Sequence, residues 1–338
     1  MPKPQATIYD IAALVGVNAS TVSRALSRPG RVSAATQRRI EDAARELDYH
    51  VNTVARAVKT GRLQTIGLLV PDIAYAVYQD ILRGAERAAR EVDYVVLVGE
   101  EFRSAQAELD WARRVRAAVD GVILASPRIP DARIREFAGD KPTVVVNRVL
   151  NGVPSVVPDV APGVRAAVVR AAELGHRRLL YIPGVGSSWM SRSRWDILEA
   201  AGAEAGIEAV SAPPGMPSRR RGAELADDVL ASGCSLVIAF NDLIAIGLLQ
   251  ELQDRGVPVP ERLSIVGFDN IRGSDFTSPR LATIGAPLNE AGGQAVRMLL
   301  ARIEGSTDRG TAADDGGPGA PSYGLATVFH ERGSLGPA

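Results

Sequence analysis

The residues best suited to chemistry lie near the start of the chain, where hydroxyl groups and one arginine share a side of a short predicted helix. In the segment ASTVSRAL, residues 19–26, Val22, Ala25 and Leu26 recur on one side, and serine, threonine and arginine side chains lie on the other. Hydroxyls and a guanidinium suit phosphate oxygens and the base edges of a DNA major groove. Arg24 is the best candidate for a bidentate contact with guanine.

A second set of polar residues follows the predicted strands of the remaining chain. Ligands of parallel α/β sheets bind beyond the carboxyl ends of the strands, so polar residues at these ends are candidates for a small-molecule site. These candidates are Asp72, Ser126, Asn147, the segment SSWMSRSR at 187–194, which ends with Arg194, Asn241 with Asp242, and Asp269. The planar guanidinium of Arg194 suits bidentate binding of oxygens. Asp242 is instead expected to cap a helix that begins at Leu243.

The sequence gives little support for catalysis. The loop GVGSS at 184–188 could hold a phosphate, but it has neither the lysine of a P-loop nor a complete G-x-G-x-x-G pattern. His50, His176 and His330 lack the spacing of metal ligands, and His176 is expected to end a helix, where its charge is favoured. No nucleophile lies beside a recognisable base. We therefore expect no enzymatic activity, no metal and no cofactor.

Two short helices joined by a tight turn must position the first set of residues. Thr7 is a suitable N-cap for the first helix, and Asp10 favours its positive end. Gly16 can take the positive φ that ends this helix, and the second helix opens near residues 18–20. A third helix, capped by Ser33 and running from 34 to about 47, would close a small apolar core over the first two.

The segment NTVARAVKTG, residues 52–61, follows the third helix. Asn52 can cap a helix and Gly61 can end one, but a helix shorter than about 12 residues is unstable alone in water. We expect this segment to become helical only when something packs on it. A plain interdomain linker is the alternative interpretation.

From Leu63 onward, short apolar runs alternate with helical stretches, a pattern typical of βαβ units. The first set of predicted strands is TIGLLVPDI, DYVVLVGE, VDGVILASP and PTVVVNRV. The second set is RRLLYIPGV, residues 208–211, CSLVIAF and LSIVGFD, with helices expected at 164–174, 193–205, 222–231 and 243–255. A helix at 289–303 would return to the first set, and residues 323–332 would form a last strand. The pattern predicts two similar lobes, each a doubly wound parallel sheet.

These elements divide the chain into three predicted parts. They are a helix-turn-helix headpiece at 1–50, a hinge helix or linker at 51–62, and a two-lobed body at 63–338. The first lobe would comprise about 63–159 and 286–305, and the second about 160–285 and 323–335. The predicted crossover between the lobes lies near 158–162.

Charge is distributed unevenly along a chain of 338 residues whose formal net charge is zero. Lys and Arg number 10 through Arg62 against 5 Asp and Glu, which is +5, and the remainder has 29 against 34, which is −5. This asymmetry places a polyanionic partner at the N-terminal end.

Apolar segments and cysteine content indicate the compartment. The sequence has no apolar run of eighteen or more residues and no N-terminal stretch typical of a signal peptide. We therefore expect no membrane association and a cytoplasmic location. Cys234, the only cysteine, excludes an internal disulfide and is expected to be buried.

Several motifs follow one known order and spacing: TIYDIA, a GV turn, TVSRAL, VSAATQRRIEDAARELDY and N-x-x-ARAV-K. In these features the sequence resembles the LacI/GalR family of bacterial transcription regulators, over essentially its whole length. The resemblance implies a homodimer that binds operator DNA under the control of a small-molecule effector. The end of the sequence shows no leucine-heptad tail, so we expect a dimer.

The resemblance also implies roles for individual residues in DNA binding. Ala19, Ser20 and Arg24 occupy the base-reading positions of the family. Phosphate contacts are expected from Thr7, Tyr9, Asn18, Thr21, Ser23 and Ser33. In the hinge segment, Asn52, Arg56 and Val58 are expected to contact DNA, with Val58 where the family has a leucine that wedges into the minor groove. Val58 is a smaller wedge, and Val51 stands where a proline is usual, so the degree of DNA kinking is left open.

The effector candidates match family motifs one by one. Arg194 lies in the R-x-x-G-[FY] motif, although Ile197 replaces its glycine. Asn241 and Asp242 match N-D-x-x-A-x-G, Asp269 matches G-F-D-[DN], and Asn147 follows the fourth strand, where the family often has a ligand contact. Tyr78 falls where an aromatic ring stacks on a sugar or purine. A sugar is the favoured effector, with a purine or phosphorylated metabolite as the alternative.

Two other classes of protein fit part of the sequence. An α/β enzyme would need a catalytic constellation, which the residues do not provide. A sugar-binding protein of the periplasm fits the two-lobed body equally well, but the sequence has a DNA-binding headpiece in place of an export signal. A ligand-responsive transcription factor, most simply a repressor, accounts for both parts.

Overall fold

The computed structural model describes residues 6–27, 32–49, 61–101, 104–305 and 322–338. The chain forms two compact units, residues 1–63 and residues 64–338. Most of the predicted hinge segment, including Asn52, Arg56 and Val58, lies outside the described residues. None of the helices in the described part of the chain is long and apolar enough to cross a membrane.

The first unit contains three helices: α1 (Ile8–Val15), α2 (Ala19–Ser27) and α3 (Ala34–Glu46). The backbone N–H and the hydroxyl of Thr7 both donate to Asp10 Oδ2, each at 2.7 Å, which places both residues in a capping box. Because Asp10 accepts these two hydrogen bonds, its pKa is lowered. Gly16 ends α1 with a φ of 70°, and Ser33 caps α3. The predicted helix-turn-helix and third helix are confirmed.

A small apolar core holds these helices together. Ile11, Val22 and Ile40 contribute one fully buried side chain from each helix. Arg39 donates from α3 to the carbonyl of Val15 at 2.6 Å, so it satisfies an orphan acceptor at the end of α1. Because α2 packs on this core through Val22, Ser20 and Arg24 lie on its exposed side.

The first lobe of the second unit is built on a sheet of six parallel strands. In chain order its strands are β1 (Thr65–Val70), β2 (Val95–Glu100), β3 (Gly121–Ala125), β4 (Thr143–Val146), β5 (Ser155–Asp159) and, from the C-terminal region, β11 (Ser322–Ala326). Their order across the sheet is β11-β5-β4-β3-β1-β2. The helices of this lobe are α4 (Ala76–Arg90), α5 (Ala105–Val115), α6 (Asp131–Asp140) and α12 (Leu288–Gly305).

The second lobe repeats this plan. Its strands are β6 (Arg178–Ile182), β7 (Glu208–Ser211), β8 (Leu236–Ala239), β9 (Ser264–Asp269), β10 (Ala282–Gly285) and β12 (Val328–His330), in the order β12-β10-β9-β8-β6-β7. Only β12 is antiparallel. The helices are α7 (Ala161–Glu173), α8 (Trp189–Ala205), α9 (Arg219–Glu224), α10 (Ala226–Ala231) and α11 (Asp242–Asp254). The predicted pair of doubly wound sheets is confirmed.

The structure corrects three details of the predicted topology. The last segment was assigned to the second lobe, but it divides: residues 322–326 pair with β5 in the first sheet, and residues 328–330 pair with β10 in the second. The sequence prediction missed β5, whose run SVVPD is short and contains a proline. The helix expected at 222–231 is two short helices, because the regular helix is interrupted at Leu225, which ends the first and precedes the second.

Glycines allow α4 and α12 to pack with their backbones nearly in contact. A Cβ on Gly84 would lie 1.8 Å from the carbonyl oxygen of Asn289, and a Cβ on Gly292 would lie 1.9 Å from that of Ile81. The second lobe uses the same device. There a Cβ on Gly222 would lie 2.1 Å from the carbonyl oxygen of Ile244 in α11. Each lobe therefore requires glycine where two helices cross.

We predict that Gly84→Ala destabilises the body by about 1–3 kcal/mol, because the added methyl group forces α4 away from α12. Urea denaturation followed by circular dichroism measures this change. Gly139→Ala is the matched control: Gly139 also lies in a helix, but a Cβ there would meet no atom within 4 Å. Its stability should stay equal or rise by up to about 1 kcal/mol. Equal stability of the two variants would contradict the close crossing.

Candidate nucleic-acid interface and small-molecule cavity

The exposed side of α2 presents part of the polar set predicted to contact DNA. Ser20 and Arg24 are exposed, while Val22 and Ala25 are buried beneath them. The guanidinium Nε of Arg24 donates to the carbonyl of Ser20 at 3.1 Å, one helical turn away. A long cationic side chain is thus held along the exposed face of the helix, where a groove could be reached.

The remaining predicted DNA contacts of the headpiece flank this face. Tyr9 is 71% exposed, an unusual position for an aromatic ring. Thr7, Asn18 and Ser33 are exposed, whereas Ala19, Thr21 and Ser23 are half-buried. Ser33 accepts a hydrogen bond from the backbone N–H of Thr36 at 3.2 Å. Thr7 and Ser33 therefore have structural roles as caps in addition to any contact with phosphate.

A cavity of about 140 Å³ lies between the two lobes of the body. This is roughly ten times the volume that one water molecule needs, so the cavity can hold a small organic molecule. Five of the predicted effector residues line it: Tyr78, Ser126, Asn147, Arg194 and Asp269. Ser126 and Asn147 follow strands of the first lobe, and Asp269 ends a strand of the second, as expected for a site at the carboxyl ends of parallel strands.

Asp72 and Asn241 are not among the residues that line the cavity. The carboxylate of Asp72 accepts a hydrogen bond from the backbone N–H of Ala74 at 2.8 Å, which shapes the loop before α4. Asn241 is buried and caps α11, with its side-chain oxygen accepting from the N–H of Ile244 at 3.0 Å. Both residues follow a strand, as the sequence indicated, but their side chains already form hydrogen bonds with the local backbone.

Asp242 was expected to cap the helix, and this expectation is wrong because Asn241 does so. Asp242 is fully buried inside the second lobe. Its two oxygens accept from the backbone N–H of Ile271 at 2.8 Å and from the hydroxyl of Thr283 at 2.6 Å. Burial, and then the nearby charge of Asp269, raise the pKa of Asp242 to about 8. Asp242 therefore holds the turn that follows Asp269.

Arg194 is buried and forms an ion pair with Asp269, with one guanidinium nitrogen 2.8 Å from Asp269 Oδ1. A second nitrogen donates to the carbonyl of Phe240. The guanidinium lies 4.7 Å from the ring centroid of Phe240 and 4.2 Å from that of Phe268, so cation–π contacts orient it. The arginine charge is thus neutralised within the protein.

Tyr75 is a cavity residue that the sequence prediction missed. Its hydroxyl donates to Asp269 Oδ2 at 2.6 Å, and its ring meets that of Tyr78 edge-on, with centroids 5.9 Å apart. Burial, and then the charge of Asp269, raise the pKa of Tyr75 well above its usual value, so the phenol stays protonated. The spacing of three between Tyr75 and Tyr78 places both rings on one side of a helix, which could have indicated the pair.

The first lobe contributes a chain of neutral polar groups to the cavity. The side-chain N–H of Asn147 donates to Ser126 Oγ at 3.1 Å, and burial raises the pKa of Tyr78 to about 12. Asn147 Oδ1 is buried and has no hydrogen-bond partner among the described residues. A buried acceptor without a partner is costly, so this atom suits a donor on a ligand.

Two further arginines, Arg128 and Arg148, line the cavity and were also missed. Arg128 donates to the buried Glu108 at 2.8 Å, and Arg148 pairs with Asp131. Their partners come from distant parts of the sequence, so no local motif could have shown them. Because each of these arginines is paired with a carboxylate, the two side chains add no net positive charge to the cavity.

Other residues discussed from the sequence have structural positions. Trp189 lines the cavity, whereas Trp195 stacks on Tyr181 with ring centroids 6.0 Å apart. His176 was expected to be charged at a helix end, but it is fully buried. Its ring nitrogens lie 2.8 Å from Ser235 Oγ and 3.0 Å from the carbonyl oxygen of Gly336, and burial lowers its pKa. The neutral imidazole is therefore favoured.

In the loop GVGSS at 184–188, Ser188 caps α8 by accepting from the N–H of Ser191 at 3.2 Å. Cys234 is buried, as predicted. In the described part of the chain, no group of three or more His, Cys, Asp or Glu side chains is arranged to hold a metal ion.

The two units together define a class of protein: a helix-turn-helix DNA-binding headpiece in one chain with a two-lobed, periplasmic-binding-protein-like body. The family model for bacterial regulatory proteins of the lacI family matches residues 7–52, and that for a periplasmic binding protein-like domain matches residues 168–333. The chain belongs to the LacI family of bacterial transcription regulators. It is accordingly a DNA-binding transcriptional repressor and not an enzyme.

Named relatives agree with this assignment. The HTH-type transcriptional repressor CytR of Escherichia coli K12 is 33% identical over 308 residues, which are 89% of this chain and 90% of the relative. The ribose operon repressor of Bacillus subtilis 168 is 30% identical over 302 residues, 88% and 92% of the two chains. The fold is similar to that of the lac repressor dimer bound to operator and the anti-inducer ONPF, with a TM-score of 0.82, 23% identity and coverage of 98% and 99%.

We predict that protonation of Asp242 contributes to stability at low pH. Its pKa is raised in the folded state, so its contribution is fully present below the unfolded value near 3.8 and is lost as the pH rises to about 8. The slope approaches about 1.4 kcal/mol per pH unit within this window. Urea denaturation of the wild type and Asp242→Asn at pH 5, 6.5, 8 and 9 measures the free energy of unfolding at each pH.

The difference in unfolding free energy between the wild type and Asp242→Asn should fall between pH 5 and 8 and then level off. Comparing the two proteins cancels the titration of groups that do not interact with Asp242, such as His176. A constant difference over the whole range would show that Asp242 is ionised throughout.

Proposed function

We propose that the cavity between the lobes binds an uncharged sugar as the effector that controls operator binding. The observation that carries this proposal is the pairing of the cavity arginines. Arg194, Arg128 and Arg148 each have a carboxylate partner within the protein: Asp269, Glu108 and Asp131. A phosphorylated metabolite would have to compete with these carboxylates, whereas a neutral ligand leaves every pair intact.

The remaining lining suits a polyhydroxylated molecule. The rings of Tyr78, Trp189 and Phe240 offer flat apolar surfaces on which the C–H face of a sugar can pack. Ser126 and the amide of Asn147 offer hydrogen-bonding groups at one side. At the other side the carboxylate of Asp269 accepts from Tyr75, a hydrogen bond that a sugar hydroxyl can replace. The name of the ribose operon repressor among the relatives agrees with a sugar-responsive role.

On the DNA side, we propose that the protein acts in the cytoplasm as a homodimer on a near-palindromic operator. Two headpieces would each place α2 in the major groove of one half-site. The relative solved on operator DNA is itself described as a dimer. Coupling between the sites is reciprocal, so operator DNA must change effector affinity by the same factor by which effector changes operator affinity.

A thermal-shift screen followed by a mobility-shift assay tests the effector class. The probes are D-ribose, D-galactose, cellobiose, adenine and glucose 6-phosphate. We expect one of the neutral sugars to raise the melting temperature and to change operator affinity. If only adenine or the phosphorylated sugar had these effects, the proposal of an uncharged sugar would be wrong.

We predict that Asn147→Gly weakens sugar binding by at least about tenfold while operator binding without sugar is unchanged. The change removes the unpaired Oδ1 acceptor, and Gly adopts the positive φ of 64° at this position without strain. Isothermal titration calorimetry measures the affinity. Asn151→Gly, at an exposed position in a turn, is the control for removing an amide side chain and should bind sugar normally. Equal affinity of the two variants would place the sugar away from Asn147.

We predict that Arg24→Ala reduces selective operator binding by roughly 5- to 150-fold, the range expected when a bidentate guanine contact worth about 1–3 kcal/mol is lost. Mobility-shift titrations against a selected operator and against random duplex measure selectivity. Arg38→Ala removes the same charge from an exposed position of α3 and should weaken both interactions equally. A loss of selectivity in Arg38→Ala, with Arg24→Ala unaffected, would overturn the assignment of α2 as the reading helix.

A further inference from the structure

One hydrogen bond crosses the cavity from lobe to lobe. Tyr75 lies at the start of α4 in the first lobe, and Asp269 ends β9 in the second. The phenol donates to Asp269 Oδ2 at 2.6 Å, a short distance expected for a hydroxyl donating to a carboxylate. Because the two residues belong to different lobes, the contact exists only when the lobes are close together.

Both oxygens of Asp269 are already engaged by the protein. Arg194 holds Oδ1 at 2.8 Å from within the second lobe, and Tyr75 holds Oδ2 from the other lobe. Asp269 has a φ of 97°, a left-handed conformation that is strained for a residue with a side chain. The turn after it is fixed by the bond from the Ile271 N–H to Asp242. The carboxylate is therefore held rigidly in the direction of Tyr75.

Tyr75 is also held in place on its own side of the cavity. Its backbone carbonyl accepts from the N–H of Tyr78 at 3.0 Å in the first turn of α4. The ring packs against that of Tyr78 at an interplanar angle of 70°. The half-buried phenol, whose pKa is raised, remains a donor across the physiological range. Both partners of the bond between the lobes are thus preorganised.

We propose that the Tyr75 hydroxyl takes the place of a ligand hydroxyl on Asp269, so that it holds the two lobes together in the free protein and must be released when the effector binds. Tyr75 then lowers the affinity for the effector, because the hydrogen bond between Tyr75 and Asp269 must be broken when the effector binds. The effector part of this inference rests on the proposed function. The contact between the lobes in the free protein does not.

The first test measures lobe closure without any ligand, by hydrogen–deuterium exchange on the full-length protein and on Tyr75→Phe. The variant keeps the ring and removes only the hydroxyl. We expect the amides in the first turns of α4 and α8, which line the cavity, to exchange at least severalfold faster in the variant, because local opening becomes easier. Exchange equal to that of the wild type would overturn the proposal.

Tyr181→Phe is the matched control for this measurement. Tyr181 is a fully buried tyrosine, and its hydroxyl donates at 3.3 Å to the carbonyl of Ser191 in the same lobe. Removing that hydroxyl should leave exchange in the first turn of α4 unchanged. Faster exchange there in both variants would mean that loss of any buried hydroxyl loosens the body, and the specific role of Tyr75 would be rejected.

The second test titrates the neutral sugar that binds best in the screen of D-ribose, D-galactose and cellobiose. We expect Tyr75→Phe to bind it about tenfold more tightly than the wild type, because a hydrogen bond to a charged acceptor no longer has to be broken. Weaker binding would show that Tyr75 contacts the ligand directly, and it would overturn the proposal. If none of the three sugars binds either protein, the proposed effector class fails, and the exchange measurement alone decides the role of Tyr75.

Discussion

The cavity depends on a single buried ion pair, in which the guanidinium of Arg194 meets the carboxylate of Asp269 at 2.8 Å. Either charge alone would be strongly destabilising where both side chains are largely shielded from water, and each therefore requires the other. The rings of Phe240 and Phe268 flank the guanidinium and restrict its orientation. Asp269 Oδ2 is left facing the other lobe, where it accepts from Tyr75. One interaction thus connects the core of a lobe to the surface on which the two lobes meet.

Backbone conformation explains why the polar residues of the site converge. Ser126, Asn147 and Asp269 have φ values of 50°, 64° and 97°, and each lies at the end of a strand or immediately after it. Such conformations are disfavoured by about 1–3 kcal/mol each, and they persist where surrounding contacts hold them. Here Asn147 bonds Ser126, and Asp269 is held by Arg194. Three of the seven non-glycine residues with a positive φ in the described part of the chain therefore line the cavity.

Charge is used differently in the two units of the chain. The first 62 residues have an excess of five basic side chains, which suits a polyanion such as DNA. The cavity is also lined by arginines, but Arg194, Arg128 and Arg148 are paired with carboxylates of the protein. Counting arginines along the sequence would assign the same property to both regions. Only the ion pairs between these arginines and carboxylates distinguish the cavity, which suits neutral molecules, from the headpiece surface, which suits phosphate.

The sequence alone determined the features that depend on near neighbours: the capped helices, the turn at Gly16, the apolar strands and the polar residues at their ends. Periodicity and capping involve residues a few positions apart, so they can be recognised in the amino-acid sequence alone. The tertiary structure decided which of these side chains are available. Asp72 and Asn241 bond to local backbone, whereas Tyr75 reaches the cavity and bonds Asp269, a contact that its spacing from Tyr78 does not show. The physical reason is that burial and pairing depend on residues far apart in sequence, such as the partner 194 positions away that holds the Tyr75 phenol.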